Sequence, residues 1–153
     1  MTHIRQKIVE VFEDILIAEL GGDRVSQTSK PIEPTTSGVC KVMIGREIVE
    51  TRDYDPQSPV YYDRTAMLVI LIGVANPEQT NRFVLDEISK NIEHAIARSL
   101  QDQMSDIYDL VEGVNLTEYV VDLDEGSRQI HTGTLTYQID YTTLSTNVTE
   151  NTY

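Results

Sequence analysis

Positive charge is scarce in this 153-residue chain: 12 lysines and arginines stand against 25 aspartates and glutamates, a formal net charge of −13. A surface of that sign is repelled by phosphate backbones and by anionic lipid, which argues against nucleic-acid binding and against docking on a membrane. The shortage is uneven. Residues 1–98 hold 15 acids and 11 bases, whereas residues 99–153 hold 10 acids and the single base Arg128. Two readings of that acidic last third stand side by side, a solvated face and a surface that faces DNA without holding it. Cysteine is as scarce: Cys40 alone excludes an intrachain disulfide and a cysteine-based metal site, and its place in the apolar alternation Val39 to Ile44 makes it a buried structural thiol. Long apolar runs are missing too. The longest, Ala66 to Ile72, is far short of the roughly 20 residues a bilayer requires, and no basic-then-apolar leader opens the chain, so the expectation is a protein made in the cytosol.

Catalytic signatures are the next absence. The histidines are His3, His94 and His131, and none stands in a sequence context that would pair it with a nucleophile. There is no G-x-S-x-G, no H-E-x-x-H and no phosphate-cradling glycine loop. Gly21-Gly22 closes a helix and so presents carbonyls, the wrong end for an anion. Asp122, Asp124, Glu125 and Gly126 superficially resemble a calcium loop, but the further acid and the terminal Glu of such a loop are missing and Arg128 follows closely; turn formation is the simpler reading. The expectation is a protein that is not an enzyme, with no catalytic residues, no cofactor and no metal.

What is present is organised around residues 61–100. Thr65 to Ala75 is almost continuously apolar and rich in β-branched residues, as in a strand buried on both faces, or covered by a helix on one and a partner on the other. At Asn76-Pro77 the pattern turns helical, with Asn76 as N-cap, Pro77 in the first turn and Gln79 at the capping-box position. Leu85, Ile88, Ile92, Ala95, Ile96 and Ser99 then recur at steps of three and four. Before this unit, residues 2–20 read as an amphipathic helix with Thr2 as cap and Ile4, Ile8, Val11, Phe12, Ile15 and Leu16 as its stripe, ended by Gly21-Gly22. A short extended piece at Arg24–Gln27 and an exposed loop at Gln27–Gly38 lead into Val39–Thr51, one bent strand or a hairpin broken at Gly45. Arg52–Val60, with two prolines, is a loop. After a weak helical turn within Gln101–Gly113, Leu116–Leu123 and Gly133–Thr143 alternate strictly and form an antiparallel hairpin. The whole is one domain of class α+β, a mainly antiparallel sheet with two amphipathic helices on one face, and residues 145–153 form a flexible tail.

Tyr and Arg are enriched where proteins bind proteins, and Arg46, Arg52, Tyr54, Tyr61, Tyr62 and Arg64 cluster in sequence at the entry to the central strand. They are candidates for a subunit or partner interface; the alternative is that the tyrosines only pack at the sheet's end. Arginines of one subunit meeting carboxylates of the next would suit a ring.

The succession of a short helix (Ile4 to Phe12), an Arg-led apolar strand (Arg64 to Ile72), a helix (Leu85 to Ile96) and a closing strand (Leu135 to Thr143) resembles the tail terminator, or tail completion, proteins of long-tailed bacteriophages. The resemblance covers nearly the whole chain. It implies a structural virion protein that forms a homo-oligomeric ring, usually a hexamer, caps the tail tube, ends its polymerisation and offers a docking surface to head or neck. The implied partners are tail-tube subunits and the connector proteins of the neck, and the implied location is the head-proximal end of the virion tail after assembly in the host cytoplasm. DNA would pass through as cargo without specific binding, and Asp102, Asp106, Asp109 and Glu112 would face the lumen. A head-completion or neck connector protein is one alternative, and a small metal-dependent enzyme or ligand-binding domain using the Asp122–Glu125 carboxylates is another.

Overall fold

The computed structural model describes residues 3–27, 31–52, 60–75, 81–102, 107, 110–123 and 130–144. In chain order these form helix α1 (Ile4–Leu20), a 3₁₀ turn (Gly22–Arg24), strands β1 (Val25–Ser26), β2 (Val39–Thr51) and β3 (Tyr61–Ala75), helix α2 (Asn81–Gln101), and strands β4 (Gly113–Leu123) and β5 (Ile130–Leu144). The five strands make a single sheet in the order β1-β2-β3-β5-β4, so the apolar β3 lies at its centre, as its composition requires. All pairings are antiparallel except β1 with β2, which is parallel. The fold is α+β.

Burial follows strand parity. On β3, Ala66, Leu68, Ile70, Ile72 and Val74 are fully buried, and their β5 neighbours Leu135, Tyr137 and Ile139 are buried beside them. This face receives both helices. From α1 it takes Ile4, Ile8, Phe12 and Leu16, spaced four apart, and from α2 Leu85, Ile88, Ile92, Ala95 and Ile96. Burying each such aliphatic side chain contributes about 1.5–3 kcal/mol, so this one layer holds most of the driving force for folding. On the opposite face Met67, Val69 and Leu71 of β3 are only half-buried. The central strand is thus sealed on one side and part-open on the other.

Some local features differ from the sequence reading and others agree with it. His3, not Thr2, is the N-cap of α1: its Nδ1 accepts from the Arg5 N–H at 3.1 Å. At the other end Gly21 takes φ +98° and its N–H bonds the Ile17 carbonyl at 2.9 Å. The segment before β2 is tied down, because Thr35 forms a parallel bridge to Val74 and Arg24 donates to the carbonyls of Ser37 (2.5 Å) and Gly38 (3.1 Å). Val39–Thr51 is one bent strand, with an extra residue between Ile44 and Glu47. A helical turn precedes β4, closed by the Val111 N–H on the Ile107 carbonyl at 3.3 Å. The expected cap at Asn76, Pro77 and Gln79, the Asp124–Gly126 turn and the tail 145–153 lie outside the described residues.

No described helix is long and apolar enough to cross a membrane.

Candidate functional site

Where β2 ends and β3 begins, the sheet carries most of the Arg/Tyr group singled out above. Thr51 lies opposite Tyr62, Val49 opposite Arg64 and Ile48 opposite Thr65, and Arg64 in turn faces Tyr141 of β5. Arg46 is exposed within the bulge of β2. Tyr54 lies outside the described residues. The register thus brings Arg46, Arg52, Tyr61, Tyr62 and Arg64 to one end of the sheet.

Two polar networks organise that end, one on each face. On the helix-covered face the centre is Glu47, whose side chain is only 9% exposed. It accepts from Arg64 Nη1 at 3.2 Å and from the Tyr141 hydroxyl, and Arg5 of α1 stands 3.5 Å away. Arg64 also donates through Nε to Thr143 Oγ1 at 2.8 Å and lies over the Tyr62 ring, 5.7 Å from its centroid. Burial, then the hydrogen bond to Glu47, pushes the Tyr141 phenol well above its ordinary pKa. Next to this cluster His3 is pushed down, by burial first and then by Arg5 and Arg64. On the other face Arg52 Nη2 donates to Asp63 Oδ1 at 2.6 Å and to Thr142 Oγ1 at 3.1 Å, while the guanidinium sits 5.7 Å from the Tyr61 centroid. The Arg52 hydrogen bond holds the Asp63 carboxyl below the usual range. The buried Thr142 hydroxyl lies 2.5 Å from Glu112 Oε1 and 3.1 Å from Asp63 Oδ1, and its one proton can serve only one of them.

Arg52 and Arg64 therefore use their charge within the subunit, and Arg46 is the member of the group that makes no ion pair with another described residue. Around them the apolar surface is open: the consecutive residues Ile48 and Val49 are each 46% exposed. Neither Glu47 nor Tyr141 was singled out in the sequence. Tyr141 continued the core-facing row of its strand, and Glu47 needed the bulge to be placed.

Of the acids expected at a lumen, Asp102 is exposed just past α2, where it borders a groove between the helices with Val11, Ile15 and Ala95. Glu112 is exposed before β4 and touches Thr142. Asp106 and Asp109 lie outside the described residues. The histidines are dispersed: His3 caps α1, His94 is exposed on α2, and His131 lies in β5 opposite Val74. Among the described residues no group of three His, Cys, Asp or Glu side chains is placed to hold a metal.

No known family model matches the chain, and no curated protein matches it in sequence. Among solved structures, a chain from the virion of a native gene transfer agent (GTA) particle is similar over 82% of this chain and 82% of its own length, at 14% identity and a TM-score of 0.42.

Proposed function

We propose that this chain is a structural subunit of a phage or phage-like tail, which assembles into a ring, caps the tube and presents a docking surface to the neck. The observation that carries the reading is the open end of the sheet, where Ile48 and Val49 are exposed beside Tyr61 and Tyr62, each tyrosine held against an arginine. Exposed β-branched residues next to rigid aromatic ones make a surface suited to protein contact. The order of elements, which resembles that of tail terminators along nearly the whole chain, supplies the assembly. In a ring of this kind the acidity of the last third would let DNA pass, since like charge removes the attraction that otherwise dominates affinity.

Electron microscopy and solution mass of the purified protein test the reading together. Closed rings with a central hole are expected, together with capture by tail-tube subunits. Capture by portal-side adaptors alone would move the protein to a head-completion or neck role, and a strictly monomeric chain would refute ring assembly.

A further inference from the structure

The sheet is open, and its two edges differ. At one, β1 pairs with β2 only at Cys40 and Lys41, so residues 42–51 of β2 pair with β3 on one side and with no described strand on the other. At the other, β4 pairs with β5 on one side and with no described strand on the other. Natural edge strands are commonly guarded by lysine or proline. Neither occurs in residues 42–51 or in β4, and both stretches instead expose apolar side chains, Ile48 and Val49 on β2 and Leu116 and Val120 on β4. The two edges differ in charge. β4 carries Glu118 and Asp122 and no base, whereas in the free part of β2 the exposed Arg46 and Glu50 offset each other and Glu47 is already neutralised by Arg64, so the acidic edge would meet a near-neutral one in which Arg46 is the base within reach.

The geometry points to an interface between copies of this chain in which the β4 edge of one subunit adds to the β2 edge of the next, and so continues one sheet around the ring. Direction follows from the registers. With three successive antiparallel pairings between them, β2 and β4 run in opposite directions within a subunit. Copies related by rotation about an axis along the strands therefore bring β4 against the next β2 antiparallel. Because the two edges are different surfaces, the contact is head-to-tail, the kind that closes into a ring. The bulges at Gly45–Arg46 and near Thr117 bend both edges and set where regular pairing stops. The inference rests on the ring reading and adds the surfaces that make it.

Two double variants test it, Ile48→Lys with Val49→Lys on β2, and Leu116→Lys with Val120→Lys on β4. All four positions are 42–47% exposed, so the subunit fold, read by circular dichroism and melting, is expected to stay as in the parent chain. Each variant alone is expected to have the mass of a single chain by light scattering. Mixed in equal amounts they are expected to form a dimer and stop, since each keeps the edge the other has lost. A parent ring that persists in either variant, or a mixture that remains monomeric, overturns this interface and leaves the ring reading standing. A parent chain that is itself monomeric overturns both.

Discussion

Removing the Arg64 side chain should damage the fold before it damages any contact between molecules. Arg64 is 13% exposed and supports Glu47, which is 9% exposed, and it also satisfies Thr143. Breaking a buried ion pair from one side costs about 3–5 kcal/mol, because the other charge is left without its partner. Here the cost is reduced. Arg5 remains 3.5 Å from the same carboxylate and the Tyr141 hydroxyl still donates to it, so Arg64→Ala should destabilise by about 2 kcal/mol. For a chain of this length that corresponds to a fall in Tm of roughly 4–8 °C.

Arg64→Lys should recover about half of the loss, because it restores charge near Glu47 without the Nε bond to Thr143. Arg46→Ala should stay within about 0.5 kcal/mol of the parent, as expected of an exposed residue outside any network. Urea unfolding followed by circular dichroism at one fixed protein concentration measures all three, the fixed concentration being needed because assembly contributes to apparent stability. An Arg64→Ala chain as stable as the parent would refute the internal role. One that is stable but no longer assembles would return Arg64 to the interface.

Glu13 is 7% exposed on α1, and burial first, then Glu10 and Asp14, raises its carboxyl above the ordinary value of 4.5. The fold thus favours the protonated form, so its contribution is full below about pH 4.5 and is lost as pH rises through the raised value; Glu13→Gln should raise Tm at pH 7 with a gain that fades toward pH 4, and a lowered Tm at pH 7 would count against this. The Cys40 thiol, fully buried and pushed up by that burial to about 12, should react with iodoacetamide at pH 8 only as fast as the chain unfolds, and rapid stoichiometric labelling of the native protein would contradict it. Gly38 takes φ +88° and a methyl there would run into Ile88 Cδ1 and lie 3.3 Å from Val74, so Gly38→Ala should cost at least about 2 kcal/mol. Gly45→Ala, with nothing within 4 Å of the added carbon, is the comparison, and equal losses at the two sites in thermal melts would refute the steric account.

What could be read from sequence was what repeats. The central strand, the stripe of α2 and the alternation of β5 each bury a regular set of side chains, and these fix the sheet's middle and the face that receives the helices. Pairings that depend on a few residues left no such trace. β1 is two residues long and parallel to β2, and only the Thr35–Val74 bridge and the Arg24 hydrogen bonds show why the segment before β2 lies close to the sheet. Glu13 was equally hidden, since a carboxylate beside a buried stripe gives no sign that its neighbours will cover it.

The bulge in β2 explains why the arginines were legible as a group but not in their separate roles. Cys40, Val42 and Ile44 share the helix-covered face, and unbroken alternation would place Arg46 next on that face, close to Arg64 and Arg5. Three cations would then crowd one half-buried site, at a cost in repulsion and desolvation with no anion to offset it. One extra residue after Ile44 turns Arg46 outward and sets Glu47 inward, opposite Ala66 and within reach of both Arg64 and Tyr141. A single inserted residue thereby converts a like-charge clash into an ion pair and leaves Arg46 outside. If subunits meet carboxylate to arginine, Arg46 is the member of the group whose charge is still available, and it lies on the β2 edge that the acidic β4 of a neighbour would meet.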